Sequence, residues 1–262
     1  MYLSHLMIDT GDNPDRPRPG RLWLRNVYHV HQRLSMAFPP KEKKTDPCPF
    51  LFRIDHQIDE NAARAVILVQ SAIEPDWEKA FENVSSIFLA SPPAVRKYAP
   101  CFAVGERLRF RIRMNLSKKA KTAGDGTDLR KKQEEVDGVR GLPKSQSKRV
   151  SVTWNGDEGE TPEDGIRTWF SEKGKRGGFA LDGDFEVVHL GWVVGYKPGR
   201  AEKDGLRFRS ALLEGSLSVM DETLFGQSLS AGLGSAKGFG FGLLSVVRAG
   251  GTPAPQSRQS GC

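Results

Sequence analysis

Apolar and polar residues alternate along the chain in a way that predicts the same order of elements twice. Strands repeat with a period of two residues, whereas helices place apolar residues three and four apart. The first set is predicted as strand, helix, strand, strand, a helical or irregular stretch, and strand, over Tyr2–Ile8, Leu22–Phe38, Phe50–Ile54, Ala65–Ser71, Pro75–Leu89 and Val95–Tyr98. This order is that of a ferredoxin-like unit.

The second set repeats the order with longer strands. Its elements are predicted over Arg107–Leu116, Pro162–Lys173, a hairpin of Phe185–Tyr196 and Leu206–Met220, Asp221–Ser230, and Phe239–Val247. We therefore expect an α+β protein with two tandem ferredoxin-like domains, antiparallel sheets and a C-terminal glycine-rich loop. The N-terminal domain is expected over residues 1–98 and the C-terminal domain over 99–248, followed by a disordered tail, 249–262.

One segment interrupts the second set. Between Gly124 and Gly159 lysines, acids and glycines dominate, and segments of this kind bury too little apolar surface to order themselves. We expect a largely mobile insertion that contains a single strand, Val150–Trp154.

The predicted strand Arg107–Leu116 alternates arginine with apolar residues. Its period of two places Leu108, Phe110, Ile112 and Met114 inward and four guanidinium groups on the other face. Those arginines are Arg107, Arg109, Arg111 and Arg113, and Lys118 follows them. Guanidinium groups need anions, so the pattern favours a surface for the phosphate backbone of a nucleic acid. The alternative is a solvated sheet face balanced by acidic neighbours.

The tip of the predicted hairpin is also cationic. Its positive residues are Lys197, Arg200 and Lys203, and Arg207 continues the charge down one flank. A protruding basic hairpin can enter an RNA groove, but hairpin tips also carry charge for solubility alone. The sequence leaves these two interpretations open.

Composition agrees with a polyanionic partner. The 262 residues carry a net charge of +7, and the isoelectric point is near 9.4, which favours nucleic acid binding. Cys48, Cys101 and Cys262 are odd in number and far apart, so neither a disulfide framework nor a zinc site with paired ligands is expected. This indicates a reducing cytoplasm. No apolar run approaches the roughly 18 residues of a membrane span, and Met1–Ile8 lacks the features of a signal peptide.

The segment Gly232–Gly242, which we call the glycine loop, reads G-L-G-S-A-K-G-F-G-F-G. Without Cβ atoms, its backbone can approach other groups closely and expose N–H groups to phosphates. Nucleotide-binding loops follow a strand and precede a helix, whereas here a helix precedes and a strand follows. We therefore expect contact with an RNA backbone, through Gly232, Gly234, Lys237, Gly238 and Gly240. The alternative is a plain connection.

The chain resembles the CRISPR-associated CasE family, the repeat-cleaving endoribonucleases of subtype I-E systems, within the repeat-associated RNA-binding superfamily. The resemblance covers most of the chain. Its segments are the opening M-Y-L-S, then Y-H-V-H-Q, V-I-L-V-Q-S, R-L-R-F-R-I-R-M-N, L-L-E-G-S-L-S-V and G-L-G-S-A-K-G-F-G-F-G-L-L-S. None of these segments is specific alone, but their shared order is.

The resemblance implies a cytoplasmic endoribonuclease that cuts the repeat hairpin of precursor RNA without a metal or other cofactor. It also implies that the guide RNA product stays bound, within the I-E surveillance complex and away from membranes. Tyr28 and His31 would be the catalytic residues, since a spacing of three places them on one helix face. By spacing alone, a Tyr and a His on an amphipathic helix are more often packing residues. A non-catalytic guide-binding subunit is the alternative function.

The chain departs from the family pattern in three places. The Gly124–Gly159 insertion is larger than expected, and Leu116 stands where many relatives carry proline. Met36 stands where some relatives place a lysine that assists cleavage. The last departure leaves open which cation, if any, stabilises the transition state.

Overall fold

The computed structural model describes residues 1–11, 13, 16–40, 48–56, 64–119, 149–152, 161–183, 185–196 and 205–249. The elements of the first half are β1 Tyr2–Asp9, α1 Pro19–Arg25, α2 Val27–Ser35, β2 Phe50–His56, β3 Arg64–Ser71, α3 Trp77–Ala80, α4 Ser85–Phe88 and β4 Ala94–Lys97. Those of the second half are β5 Arg107–Asn115, β6 Ser117–Lys119, β7 Arg149–Ser151, α5 Pro162–Arg176, β8 Phe179–Leu181, β9 Glu186–Gly195, β10 Leu206–Val219, α6 Glu222–Ala231 and β11 Ser245–Arg248.

Each half contains an antiparallel sheet in the strand order of a ferredoxin-like unit. In the first sheet the order is β2-β3-β1-β4. The second sheet has the corresponding order β11-β5-β10-β9. Strand β9 pairs with β10 from Leu206 to Glu214, and β8 pairs with the same edge of β10 further along, from Leu217 to Val219. A separate ribbon joins β6 to β7. The expected α+β class with two antiparallel sheets is confirmed. The expected domain boundary at 98/99 falls between β4 and β5 and stays a prediction.

The inward faces of the two sheets form two apolar cores. In the first, Leu6, Phe52 and Ile67 are fully buried beneath Val30 and Leu34 of α2. In the second, the side of β5 that carries Leu108, Phe110, Ile112 and Met114 packs against Phe170 of α5 and Phe225 of α6. The period of two therefore predicted the correct buried face of β5.

The predicted helix Leu22–Phe38 is broken at Asn26. This residue has extended backbone angles, φ −111° and ψ 93°, and its side-chain oxygen accepts a hydrogen bond from the Tyr28 N–H at 3.2 Å. The same amide accepts from the Tyr196 N–H and donates to the Tyr196 carbonyl, at 3.0 and 3.1 Å. Asn26 thus begins α2 and ties that helix to the end of β9.

The predicted final strand Phe239–Val247 is shorter in the structure. A single 3₁₀ turn occupies Lys237–Phe239, and Gly240 and Gly242 adopt φ of +79° and +84°. These angles lie outside the range of a strand, so pairing begins only at Ser245.

Helix α5 extends past its predicted end at Lys173. Gly174 lies inside the helix, where a Cβ would come within 2.9 Å of the Phe179 ring. This glycine therefore permits close packing rather than ending the helix. The short strand β8 that follows was not predicted. Strand β7 begins one residue before the predicted strand Val150–Trp154 and ends at Ser151, before the predicted end. Most of the Gly124–Gly159 insertion and residues 250–262 of the tail lie outside the described residues.

Candidate active site

Helix α2 places Tyr28 and His31 side by side at the edge of the first core. Its buried positions are Val27, Val30 and Leu34. Tyr28 and His31 are half-buried next to that apolar face, whereas His29 is exposed. The predicted sharing of one helix side by Tyr28 and His31 agrees with this arrangement. Their catalytic role stays a prediction.

Aromatic rings of β2 surround the imidazole of His31. Its ring centroid lies 5.3 Å from that of Phe50 and 6.1 Å from that of Phe52. The His31 carbonyl accepts a hydrogen bond from Ser35 Oγ at 2.7 Å. Stacked rings limit the rotation of the imidazole, so β2 orients it toward the glycine loop.

The glycine loop lies against the same side of α2. A Cβ built on Gly238 would be 3.7 Å from Cε1 of His31, and the Phe239 ring centroid lies 6.5 Å from that of Tyr28. At Gly240 a Cβ would come within 3.3 Å of Phe52. Residues from the C-terminal end of the chain thus complete a site whose proposed proton-transfer groups come from the N-terminal half.

Hydrogen bonds fix the ends of the glycine loop. The Leu233 N–H donates to the Gly242 carbonyl at 2.9 Å, and the Gly242 N–H donates to the Arg113 carbonyl at 2.8 Å. Gly232 packs so closely on β2 that a Cβ there would lie 2.7 Å from Leu51. The loop is therefore attached to β5 and packs on β2.

Several groups that could hold a phosphate are already engaged within the loop. The N–H groups of Phe239 and Gly240 donate to the carbonyls of Ala236 and Lys237. Lys237 Nζ donates to the Ala231 carbonyl at 2.6 Å, and burial lowers the pKa of this ammonium group. An ammonium group has three N–H donors, so this contact leaves Lys237 able to meet a phosphate as well. Its predicted RNA contact and that of Gly234 stay predictions.

The four arginines of β5 have different surroundings. Arg107 Nε donates to Asp182 at 3.0 Å, while Arg111 pairs with Glu214 at 2.5 Å and lies 3.9 Å from Asp55. Arg109 is exposed and makes no ion pair within the described part of the chain. Carboxylates of the protein therefore supply part of the negative charge that the pattern requires.

A partly buried group of charges lies between the two sheets, and we call it the arginine layer. It consists of Arg53, Asp55, Arg111, Arg113 and Glu214. Arg53 is 4% exposed and holds Asp55 through Nε and Nη2, while its Nη1 donates to the carbonyl of Arg111 at 3.0 Å and to Ser245 Oγ at 2.9 Å. Strand β2 is thus bonded to β5 and to the start of β11.

Arg113 occupies the most enclosed position of the arginine row. Its guanidinium makes two long contacts, 3.4 Å each, with Ser210 Oγ and the Ile54 carbonyl. Burial lowers the pKa of this group, and positive charge on Arg53 and Arg111 adds to the shift while Asp55 opposes it. An additional anion at this position would therefore be favourable.

The remaining predicted cations are only partly described. Arg207 is exposed on β10 opposite Val194. Lys118 lies in β6 opposite Val150, and Lys197, Arg200 and Lys203 lie outside the described residues. Their RNA contacts stay predictions.

Sequence reasoning missed the residues that join the elements around this site. The hydrogen bonds of Asn26 to Tyr196 and the buried Arg53–Asp55 pair carry no periodic signal. Asn is a preferred residue before a helix, so the position of Asn26 could have indicated the start of α2.

The described residues contain neither a metal-binding cluster nor a membrane-spanning helix. No group of three or more His, Cys, Asp or Glu side chains is arranged to hold a metal ion. No helix there is both long and apolar enough to cross a membrane.

The fold and the site define a class: two tandem ferredoxin-like units joined by a glycine loop that reaches a Tyr-His helix of the first unit. The model of the CRISPR associated protein family matches residues 1–248. The chain belongs to that family, which confirms the family resemblance found in the sequence.

Known relatives match over nearly the full chain. CRISPR-associated endoribonuclease Cse3 of Thermus thermophilus is 28% identical over 257 residues, covering 94% of this chain and 100% of the relative. A solved structure of CRISPR endoribonuclease Cse3 bound to 19-nucleotide RNA superposes with a TM-score of 0.66 at 26% identity, with 94% and 100% coverage. A chain of a CRISPR RNA-guided surveillance complex shares the fold, with a TM-score of 0.56, 17% identity, and 95% and 100% coverage.

Proposed function

We propose that this protein is a metal-independent endoribonuclease that cleaves CRISPR repeat hairpins in precursor RNA. The observation that carries the proposal is the contact between the glycine loop and α2, where Gly238 lies against His31 and Phe239 lies near Tyr28. A fold that only presented a binding surface would not need to enclose these two side chains from both halves. The names of the relatives, an endoribonuclease and its RNA complex, support the same activity.

RNA supplies its own nucleophile in this mechanism. Removal of the 2′-hydroxyl proton lets that oxygen attack the adjacent phosphorus, the bond to the 5′-oxygen breaks, and the leaving oxygen takes up a proton. The products are a 2′,3′-cyclic phosphate and a 5′-hydroxyl. Imidazole groups ordinarily titrate near pH 6.5 and can move protons at neutral pH. A positioned acid or base contributes about 10²–10⁴-fold, which His31 supplies with Tyr28 as its partner or as the phosphate-orienting group.

Binding of the hairpin rests on shape and on phosphate contacts. The major groove of A-form RNA is deep and narrow, so side chains read helix shape, flanking nucleotides and the backbone. Exposed Arg109 and Arg207 and the cations Lys197, Arg200 and Lys203 of the β9–β10 connection are the proposed phosphate contacts. Asn26 supports this arrangement, because it attaches the end of β9 to the first turn of α2.

After cleavage the protein keeps the guide RNA and remains a subunit of the I-E surveillance complex in the cytoplasm. The shared fold with a chain of a CRISPR RNA-guided surveillance complex is compatible with this assembly. The proposed boundaries of the functional units are 1–98 for the domain with α2 and 99–248 for the domain with the RNA-binding hairpin.

The test is incubation of the purified protein with repeat hairpin RNA in excess EDTA, followed by identification of the product ends. We expect cleavage to persist and to give a cyclic phosphate and a 5′-hydroxyl. An RNA with one 2′-deoxy sugar at the scissile position should bind and stay intact. Loss of cleavage in EDTA, or normal cleavage of the deoxy RNA, would contradict the mechanism.

One observation favours a non-catalytic guide-binding subunit instead. The His31 ring stacks among Phe50 and Phe52, which is also the environment of a packing residue. In that case the protein would bind the hairpin with normal affinity and leave every repeat RNA uncut under all metal conditions.

A further inference from the structure

Strand β9 ends beside the first turn of α2, and one side chain joins the two elements. The Oδ1 atom of Asn26 accepts hydrogen bonds from the N–H of Tyr28 at 3.2 Å and from the N–H of Tyr196 at 3.0 Å. The amide nitrogen of Asn26 donates to the Tyr196 carbonyl at 3.1 Å. A single planar amide therefore holds both main-chain groups of Tyr196.

These three bonds fix an orientation as well as a distance. The amide of Asn26 presents an acceptor and a donor to Tyr196, as a residue of a neighbouring antiparallel strand would. Because the two N–H groups share Oδ1, a shift of Tyr196 disturbs the bond that begins α2 at Tyr28. The first turn of α2 is thus attached to a strand of the second sheet.

The side chain of Tyr28 also packs on the end of β9. Gly195 is buried, and a Cβ built on it would lie 3.6 Å from the Cβ of Tyr28 and 2.5 Å from the ring of Phe239. The ring centroid of Phe239 lies 6.5 Å from that of Tyr28. These contacts are apolar, so they limit where the phenol ring lies and leave its hydroxyl to other partners.

The two proposed catalytic side chains are therefore fixed by different sheets. His31 lies against Phe50 and Phe52 of β2, in the first sheet. Tyr28 lies against Gly195 of β9, in the second sheet, and its N–H is held by the amide that also holds Tyr196. The geometry of Tyr28 relative to His31 depends on how the first turn of α2 is attached to β9.

We propose that Asn26 is a positioning residue for cleavage, which places the Tyr28 hydroxyl at the scissile phosphate by holding α2 to the end of β9. The inference rests on the proposed function. Reacting groups must be placed closely, and a displacement of about 1 Å can lower a rate by about 10²-fold. Asn26 bonds to the backbone of Tyr28 and Tyr196, so it acts through Tyr28 and not on the RNA.

The test uses two variants that keep the helix start and lose the attachment to β9. Aspartate caps helices as well as asparagine does, but Asn26→Asp has no N–H for the Tyr196 carbonyl and sets a carboxylate oxygen against it. Asn26→Ser also caps, but its shorter side chain carries one oxygen in place of the amide. The matched control is Asp221→Asn, the reverse exchange at the start of α6, where Asp221 accepts from the Leu224 N–H at 2.8 Å.

Both Asn26 variants should lower the single-turnover cleavage rate of repeat hairpin RNA, measured with the protein in excess. We expect a loss of about tenfold, as for one lost hydrogen bond. Affinity for the same hairpin with a 2′-deoxy sugar at the scissile position should change by a few-fold at most. Asp221→Asn should match the wild type in rate and affinity. Rates are compared at a temperature at which thermal unfolding shows every variant to be folded.

Coupling between Asn26 and Tyr28 separates positioning from a general disturbance of the fold. Tyr28→Phe removes the hydroxyl and should itself slow cleavage by about 10²-fold. In that background Asn26→Asp should lower the rate no further, because the group that it places is gone. A general disturbance would lower the rate by the same factor in both backgrounds.

An equal effect of Asn26→Asp with and without the Tyr28 hydroxyl would overturn the inference alone, and so would wild-type rates in both Asn26 variants. A wild-type rate in Tyr28→Phe would overturn the inference together with the proposed role of Tyr28. Absence of cleavage by the wild-type protein itself would overturn the proposed function and the inference with it.

Discussion

The two halves of the molecule meet through two regions of opposite character. In the glycine loop, backbone approaches backbone and rings because Cβ atoms are missing at Gly232, Gly240 and Gly242. In the arginine layer, long charged side chains cross between the sheets, and Arg53 alone bonds to Asp55, β5 and Ser245. Both regions join α2 or β2 to the second sheet, but one does so by the absence of side chains and the other by their charge.

This difference determines what each region tolerates. The glycine loop has no room for added atoms at Gly232 and Gly242, whereas its main contacts carry little charge. The arginine layer depends on the pairing of Arg53 with Asp55 and of Arg111 with Glu214, because a buried charge left alone is costly. Added volume should therefore damage the first region, and removal of one charge should damage the second.

The largest effect is expected for Arg53→Met. Among the described residues, it leaves the Asp55 carboxylate, which is 16% exposed, with the 3.9 Å contact to Arg111 as its one ion pair. Removal of one member of a buried pair typically costs about 3–5 kcal/mol, and urea unfolding should show a loss of this order. The double variant Arg53→Met with Asp55→Leu should recover part of it. If the stability losses of the single variants Arg53→Met and Asp55→Leu add up to the loss of the double variant, the two residues are not coupled.

The second effect is expected for Gly242→Ala, measured against Gly105→Ala. Both glycines have nearly equal positive φ, +84° and +83°, so alanine is strained similarly at each. A Cβ at Gly242 would overlap the Leu233 carbonyl oxygen, whereas Gly105 has nothing within 4 Å. Overpacking typically costs about 1–3 kcal/mol, so Gly242→Ala should be less stable than Gly105→Ala by that amount. Equal stabilities would contradict the close packing of the glycine loop.

A smaller effect is expected when two arginines on the same face of β5 are replaced in turn and RNA binding is measured. Arg109 is exposed without an ion pair among the described residues, whereas Arg111 is bonded to Glu214. Arg109→Gln should weaken RNA binding and lower its salt slope by about 1. Arg111→Gln should change the salt slope less and lower the stability more. An identical salt slope for both variants would show that the acidic partners do not decide which arginine reaches RNA.

The smallest effect lies outside both regions, at the N-terminus of α5. Thr161 and Asp164 form a capping box, and hydrogen bonds from the Thr161 side chain and backbone lower the pKa of the Asp164 carboxyl. A carboxyl with a depressed folded pKa stabilises the fold above its ordinary pKa of 3.8 and loses that contribution as pH falls through the folded value.

Asp164→Asn should therefore lower the Tm slightly at pH 6, and the difference from the wild type should shrink as the pH falls below about 4. Glu163→Gln, in the same helix turn, is the control because its side chain makes no capping bond in the described structure. A difference that stays constant down to pH 2 would contradict the capping role of the charged form.

The same two regions show what sequence patterns predict. Alternation in β5 gave the buried face of that strand correctly, because apolar burial depends on the sequence of that strand itself. It did not show that Arg107 and Arg111 meet Asp182 and Glu214, because those acids lie more than 70 residues away along the chain. A face follows from local periodicity, but its partners follow from the tertiary fold.

Residues that break a pattern were the other source of error. Asn26 interrupts an otherwise continuous helical repeat, and its amide bonds to Tyr196, 170 residues away. Gly240 and Gly242 convert an apolar run into a turn, although the apolar residues Phe241, Leu243 and Leu244 are buried as a strand pattern would suggest. For the candidate site, spacing placed Tyr28 and His31 together, but the contact of the glycine loop with His31 required the structure.

The central claim is that His31, enclosed by β2 and the glycine loop, moves a proton during cleavage. The most direct measurement is the single-turnover cleavage rate of repeat hairpin RNA by His31→Ala, with RNA affinity measured in parallel and His29→Ala as the control on the exposed side of the same helix. We expect His31→Ala to lower the rate by about 10²–10⁴-fold with affinity changed only a few-fold, and His29→Ala to cleave normally. Equal cleavage rates for His31→Ala and His29→Ala would contradict the claim.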